Sequence, residues 1–365
     1  MNQHIQEQLS RIVIKGFKSI KECNLELSNI NVLIGSNGSG KSNFISIFEM
    51  LQRVLVRELA LYTGKKGITP LFYNGKEVTD SIYAKFCFGD VSYSFEVEWT
   101  ENDSVLFREE SIIFAGNDLL RESGHKESNS LNTLREISDE IDVPKILSKP
   151  SWYIYQFHNT SSSSRILSEH NISNCAVFID DARNLAAYLY RLKQNFEKEY
   201  ADILSAIQLV APFFNDFILE PRELNEEQIV LRWQKKDSVD IFNASQLSDG
   251  TLRFICLATL LLQPTELQPS IIIIDEPELG LHPYAITILA EMVKKVAINK
   301  QIIIATQSVE LLDCFDVGDI IVVDYYDDES KFKRLEPEQL RYWLENEYSL
   351  GELWCKNVIG GRFAR

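Results

Sequence analysis

The chain has 365 residues, of which 45% are hydrophobic and 25% charged, with a formal net charge of −16. That length buries a large core, as one elaborated head or as two lobes. The acidic balance argues against a bulk nucleic-acid surface, whose affinity comes from neutralised phosphates. The cysteines at 23, 87, 175, 256, 314 and 355 form no C-x-x-C pair and no His/Cys cluster, which speaks against a zinc hook or a disulfide framework. No apolar stretch approaches bilayer length, and the polar start from Met1 to Gln8 has no signal-peptide core, so a cytoplasmic protein is expected.

Residues 11–60 read as two strands, a glycine-rich loop and a helix. The loop is Gly35-Ser36-Asn37-Gly38-Ser39-Gly40-Lys41-Ser42, set between the apolar run Asn31 to Ile34 and a helix-like segment beginning at Asn43. Strand, glycine loop and helix in that order form the context a Walker A phosphate loop requires. Its glycines let backbone N–H groups close around phosphate oxygens. Lys41 supplies charge to the β- and γ-phosphates, and the Ser42 hydroxyl suits a Mg²⁺ shell. A nucleoside triphosphate, ATP with Mg²⁺, is the expected ligand, with Gly35 to Asn43 around it.

Downstream, Ser81 to Phe88 and Tyr93 to Trp99 alternate in polarity around Gly89-Asp90 and read as a β-hairpin. Arg108 to Ala115 extends the same antiparallel sheet. Asn117 to Pro150 is polar, charged and weakly periodic, which suggests a variable insertion. Trp152 to Thr160 is an aromatic strand entering a serine run, and residues 183–210 carry helical periodicity. Leu247-Ser248-Asp249-Gly250-Thr251 opens an apolar helix running to Leu262, a start equally suited to Ser/Asp capping and to holding an anion. Ile271 to Ile274 is an apolar strand ending in Asp275-Glu276, the form of a Walker B strand buried on both faces. Asp275 is placed to hold Mg²⁺ through water, and Glu276 to orient or deprotonate an attacking water. Gln301 to Thr306 is a further apolar strand leading to Gln307-Ser308. No heptad run long enough for a coiled coil and no internal repeat is present.

Together, Ile14 to Ile20, the Walker A loop, Leu247 to Thr251, Asp275 to Pro283, Thr306 to Ser308 and Tyr348 to Trp354 resemble a bacterial AAA family ATPase. This is the stand-alone group related to RecF, SMC proteins and the overcoming-lysogenization-defect ATPases. The resemblance spans nearly the whole chain. It implies an α/β, ABC-ATPase head: a P-loop core with an antiparallel β lobe (1–116 and 264–365), an insertion (117–150), and a helical lobe ending in the signature motif (151–263). It implies ATP hydrolysis in a head-to-tail homodimer or higher homo-oligomer, with Ser248, Asp249 and Gly250 of one protomer completing the other's site. Asp249 stands where transporters usually carry glycine.

By the same resemblance Pro277 to Pro283 is the D-loop. Gln307 holds the switch position, where many relatives have histidine; its amide donates a hydrogen bond but takes up no proton. Gln156 is the candidate Q-loop ligand, with His158 and Asn159 as rivals, against an ordinary core strand. His282 is either a structural group beside a proline turn or a displaced switch residue. Lys18 is implied to lie near the nucleotide. The implied outputs are control of a separate nuclease in antiviral defence, DNA repair or DNA-end binding, or energising a transporter through separate membrane subunits. Direct DNA contact would need local patches such as Lys15, Lys18 and Lys21, or Lys356, Arg362 and Arg365. With the sequence ending soon after Trp354, the appended Toprim domain of longer relatives is not expected here. The terminal segment 348–365 either seals the fold or presents an aromatic anchor to an effector.

Overall fold

The computed structural model describes residues 8–130, 133, 152–158, 164–221 and 225–361. Strands β1 (Arg11–Phe17) and β2 (Ile20–Glu26) pair antiparallel with Phe17 opposite Ile20, and β3 (Ile30–Ile34) follows. Three strands therefore precede the phosphate loop, not the expected two. The β1–β2 turn lacks a glycine at its corner; Lys18 itself takes the left-handed conformation, with φ of 50°. The loop leads into α1 (Lys41–Leu55), then α2 (Leu59–Lys66).

Strands β4 (Ser81–Phe88), β5 (Val91–Trp99) and β6 (Val105–Phe114) extend the first hairpin. β7 (Asn117–Glu122) adds an edge, giving an antiparallel sheet of order β2-β1-β4-β5-β6-β7. Residues 117–122 thus belong to the sheet, correcting the insertion boundary. Their polarity hid them because an edge strand buries little: only Leu120 of β7 is buried. The following segment is pinned from two sides. His125 reaches the buried Glu110 at 3.0 Å and stacks on Phe107, while the Glu127 carboxylate accepts from the Leu59 and Ala60 N–H groups at the start of α2. Residues 131, 132 and 134–150 of the expected insertion lie outside the described residues.

β8 (Trp152–Tyr155) runs parallel to a Walker B strand more than a hundred residues away, so it belongs to the core sheet and not to the helical lobe assigned from the sequence. That lobe contains β9 (His170–Asn171), α3 (Leu185–Asn195), α4 (Glu197–Val210), β10 (Phe214–Ile218), β11 (Gln228–Ile229), β12 (Arg232–Lys235), β13 (Ile241–Asn243) and the signature helix α5 (Asp249–Leu262). The chain returns through β14 (Ile271–Asp275), α6 (Pro283–Ala297), β15 (Gln301–Thr306), α7 (Val309–Leu312), β16 (Ile320–Tyr326), β17 (Glu329–Arg334), α8 (Pro337–Glu345) and α9 (Leu350–Cys355). The core sheet has the order β17-β16-β3-β15-β14-β8, parallel except for β17.

Strand period decides how the layers meet. Ile271, Ile273, Ile303 and Ile321 point toward α1 and the antiparallel sheet, forming one core. Ile272, Ile274, Ile302 and Ile304 point the other way, into a second core with α5, α6 and the helical lobe. Helices and sheet covering both faces explain why these strands are uninterrupted isoleucine runs. The terminal segment is part of this second core: Leu353 is buried, Trp354 is only 8% exposed, and Gly351 N–H donates to Asp313 at 2.6 Å. Trp354 is therefore a packed residue and not an exposed docking anchor. Among the described residues no helix is long and apolar enough to cross a membrane.

Candidate functional site

The phosphate loop sits where the C-terminal end of β3 meets the N-terminus of α1. Gly40 caps that helix in the left-handed region, φ 113°, and no side chain closes its first-turn N–H groups. A long helix begun this way offers a row of unspent donors and the positive end of its dipole. Space around the loop leaves no room for a side chain at two glycines. A Cβ on Gly35 would lie 2.4 Å from the Val323 carbonyl oxygen, and one on Gly40 would lie 2.1 Å from Ser330 Oγ. Lys41 is buried and folds over the loop, its Nζ donating to the Gly35 and Ser36 carbonyls at 2.6 and 3.0 Å. Ser39 Oγ is buried without a hydrogen-bond partner among the described residues. An anion-shaped cradle with an orphaned hydroxyl and a covering lysine fits a bound polyphosphate. Ser36 and Asn37 form the loop's rim with Gly38, whose Cβ position is open, and Ser42 is exposed in the first turn of α1.

Carboxylates and amides gather opposite this cradle. Asp275 ends β14, and Gln156, just past β8, donates to its Oδ2 at 3.1 Å. Glu276 follows with φ of 49°, a left-handed conformation that costs a non-glycine residue about 1–3 kcal/mol and recurs at functional sites. Its N–H continues the ladder to the Ala305 carbonyl at 2.8 Å, so the strain is held by the sheet. Gln307, beyond β15, donates from Nε2 to Glu276 Oε1 at 3.0 Å. His158 stands beside both acidic residues, its Nε2 being 3.2 Å from the Asp275 carbonyl oxygen and 4.0 Å from Glu276 Oε2. Asn159 lies outside the described residues.

The charge balance here is negative. Burial, followed by the neighbouring Glu276, pushes the Asp275 carboxyl above its ordinary range, and burial does the same to Glu278. Burial pulls the Lys41 ammonium down, although Glu276, Asp275 and Glu278 oppose the shift. One lysine facing three carboxylates leaves a charge deficit that a divalent cation held by Asp275, Ser42 and the Gln156 amide would fill; these oxygen donors suit Mg²⁺.

The start of α5 is exposed at Ser248 and Asp249, while Gly250 backs onto the turn after Glu276, against the Gly280 carbonyl. Ser248 caps α5, its Oγ accepting from Thr251 N–H at 3.2 Å, with Asp249 and Gly250 beside it. His282 caps α6, Nδ1 accepting from Tyr284 N–H at 3.3 Å, and is a structural group. Lys18 turns inward to Ser46 Oγ at 2.7 Å, and Asn43 donates to Ser19 Oγ at 2.7 Å. Lys18, Ser19 and Asn43 with Thr69, Phe72 and Asn74 line an open hollow of about 650 Å³ beside the start of α1. Lys15 pairs with Glu22 at 2.9 Å, so Lys15, Lys18 and Lys21 do not make one free basic patch. Arg362 and Arg365 lie outside the described residues.

Several neighbours of the site carry no local sequence signal. Ser330 of β17 bonds Ser19 at 2.6 Å and abuts Gly40, and the Gly361 carbonyl accepts from Ser36 N–H at 2.8 Å. They arrive from the far end of the chain. Glu278 and Arg253, by contrast, lie inside motifs readable from the sequence, and only the fold shows what they touch.

Residues 30–313 match the family described as "AAA domain, putative AbiEii toxin, Type IV TA system". No curated protein matches the chain. Among solved structures, the SMC head bound to the C-terminal winged-helix domain of ScpA superposes with a TM-score of 0.60 at 16% identity, covering 91% of this chain and 99% of that one. The Pyrococcus furiosus Smc head with an extended coiled coil, bound to the C-terminal domain of ScpA, gives 0.58 at 16% identity, over 93% and 99%. The SMC head domain from Thermotoga maritima gives 0.52 at 16% identity, over 90% and 99%. Identities this low establish the fold, an ABC-type ATPase head. With that fold, a complete phosphate loop and the family match spanning most of its length, the chain belongs to the AAA-domain family of putative AbiEii-toxin type.

Proposed function

We propose that the protein hydrolyses ATP in a head-to-tail homodimer and passes the resulting closure and opening to a separate effector. The observation that carries this reading is the convergence of Gln156, Asp275, Glu276 and Gln307, from three separate core strands, on the side of the sheet where Lys41 closes the phosphate loop. Backbone N–H groups of the Gly35–Asn43 loop, apart from Ser36 N–H, which is bonded to the Gly361 carbonyl, hold the phosphates, and the open hollow beside Lys18 and Asn43 receives the nucleoside end. Ser42, Asp275 and Gln156 would hold Mg²⁺, which when bound supplies positive charge at the transferring phosphoryl group. Glu276 takes the proton of the attacking water, and Gln307 fixes the direction of its carboxylate through one amide hydrogen. The second amide hydrogen is left for the γ-phosphate. Ser248, Asp249 and Gly250, at the start of α5, serve the partner's nucleotide across the dimer, where a capped helix N-terminus meets its anion.

The effector is read as a nuclease partner in antiviral defence, from the resemblance to the overcoming-lysogenization-defect group. The SMC heads of like fold were solved with a domain of a separate protein, ScpA, bound to them, which supports a head that works through another subunit. RecF- or SMC-like action at DNA ends is the second reading. The net charge of −16 and the engaged Lys15 and Lys18 weigh against direct DNA binding. Glu276→Gln tests the core of the proposal: ATP binding persists, turnover falls at least about 100-fold, and ATP-bound dimers accumulate. Near-normal phosphate release in that variant would overturn it. Copurification with a nuclease, against copurification with DNA, separates the two outputs.

A further inference from the structure

Glu278 lies two residues past Glu276 in the turn between β14 and α6, and it is only 8% exposed. One carboxylate oxygen, Oε1, accepts from Thr306 Oγ1 at 2.6 Å and from Gln307 N–H at 3.3 Å. The other, Oε2, has no hydrogen-bond partner among the described residues. Burying a carboxylate without a direct ion pair is costly, and the two side-chain bonds that compensate both go to the corner carrying the switch amide. Ser308 N–H in turn donates to Thr306 Oγ1 at 2.9 Å, so the hydroxyl is held from both sides.

The turn bearing Glu278 is itself clamped. The next residue's carbonyl, Leu279 O, accepts from Arg253 Nη1 of α5. Arg253 also donates to the Phe157 carbonyl at 2.9 Å and the His158 carbonyl at 3.3 Å, spending its planar fork on the exit of β8. Gly250 lies against the same turn, where a Cβ would come within 2.2 Å of the Gly280 carbonyl oxygen. Its lack of a side chain thus has a reason inside the chain, independent of any nucleotide.

We propose that Glu278 is a positioning residue for the switch: its carboxylate sets the Thr306–Gln307 corner so that the Gln307 amide meets Glu276, while Arg253 and Gly250 anchor the turn that carries it to the signature helix. Through this strut, a load on the exposed start of α5 reaches the Glu276–Gln307 pair of the same chain. The inference rests on the reading of Gln307 as the switch residue.

The test is a double-mutant cycle in the full-length protein, reading steady-state phosphate release. Glu278→Gln keeps an acceptor oxygen and is expected to hold kcat within about threefold. Glu278→Leu is expected to lower kcat about as much as Gln307→Ala does, with KM for ATP unchanged within about a factor of two. The Glu278→Leu/Gln307→Ala double variant should be no slower than the worse single variant by more than about twofold. Thr306→Val interrupts the same strut without emptying the buried site, and should likewise be non-additive with Gln307→Ala even if Glu278→Leu fails to fold. Losses that multiply, or a Glu278→Gln variant as impaired as Glu278→Leu, overturn the strut alone. Wild-type turnover in Gln307→Ala overturns the switch reading and the strut together.

Discussion

Gln307→Ala removes a single interaction that the structure identifies by atom: the 3.0 Å bond from Nε2 to Glu276 Oε1. A hydrogen bond to an ionised partner contributes about 1.5–3 kcal/mol. If that bond holds the carboxylate on the attacking water only as the transition state forms, the loss falls on kcat, at roughly 10- to 150-fold. Glu276 stays in place on its ladder bond to Ala305, and the phosphate cradle is untouched, so KM for ATP should scarcely move. Gln307→His keeps a donor and should retain much of the rate, with an inflection near neutral pH that the wild-type amide does not give. Initial-rate phosphate release across ATP concentrations, at several pH values, measures both. An unchanged kcat in Gln307→Ala, or a loss confined to KM, would show that the Gln307–Glu276 bond does not act in the chemical step.

Three more outcomes follow from the site and its surroundings. Asp275 has its folded-state pKa raised by burial and by Glu276, so its protonated form favours folding. That stability is present below the usual carboxylate range, near pH 4, and is lost as pH rises through the raised value. Asp275→Asn should therefore raise the thermal midpoint of the nucleotide- and metal-free protein at neutral pH, by a margin that shrinks toward about pH 4, and abolish the further rise given by Mg²⁺ and ATP. An apo midpoint that falls at neutral pH would contradict this. Deleting residues 348–365 should destabilise the whole head in thermal melts, because it removes buried Leu353 and Trp354 and the Gly361 carbonyl that receives Ser36 N–H; full stability in that truncation would return the segment to a docking role. Gly250→Ala should impair folding or turnover even under conditions that saturate ATP, since its methyl group would strike the Gly280 carbonyl at 2.2 Å; wild-type behaviour would deny the close approach.

The parts of this molecule legible in the sequence are those whose physics is local. A glycine loop between an apolar run and a helix, an isoleucine strand ending in two acids, and an alternating hairpin each announce themselves within about ten residues. What escaped reading depends on distant partners or on residues breaking their usual habits. Lys18 makes a left-handed corner without glycine, hiding the β1–β2 hairpin. Asn117 to Glu122 is an edge strand that needs only Leu120 to face the core, so its composition looks like a loop. Trp152 to Tyr155 joins the P-loop sheet through parallel pairing with Ile271 to Ile274, a register no local window contains. Its aromatic character reflects burial of Trp152 and Tyr155 toward opposite cores. In the site itself, residue types pointed to Asp275 and Glu276 and the family resemblance to Gln307, but the contact between the last two appears only once β14 and β15 lie side by side.

In the proposed dimer each site needs residues of two chains. Lys41→Ala protein lacks the phosphate-loop charge, and Ser248→Arg protein blocks the signature helix from the partner's nucleotide; each alone should be inactive. Mixed so that heterodimers form, verified by a tag on one variant, they rebuild one intact site from the phosphate loop of the second and the signature of the first. Recovered ATP hydrolysis in the mixture, absent from either protein alone, is the predicted result. Verified heterodimers that remain inactive would contradict the account.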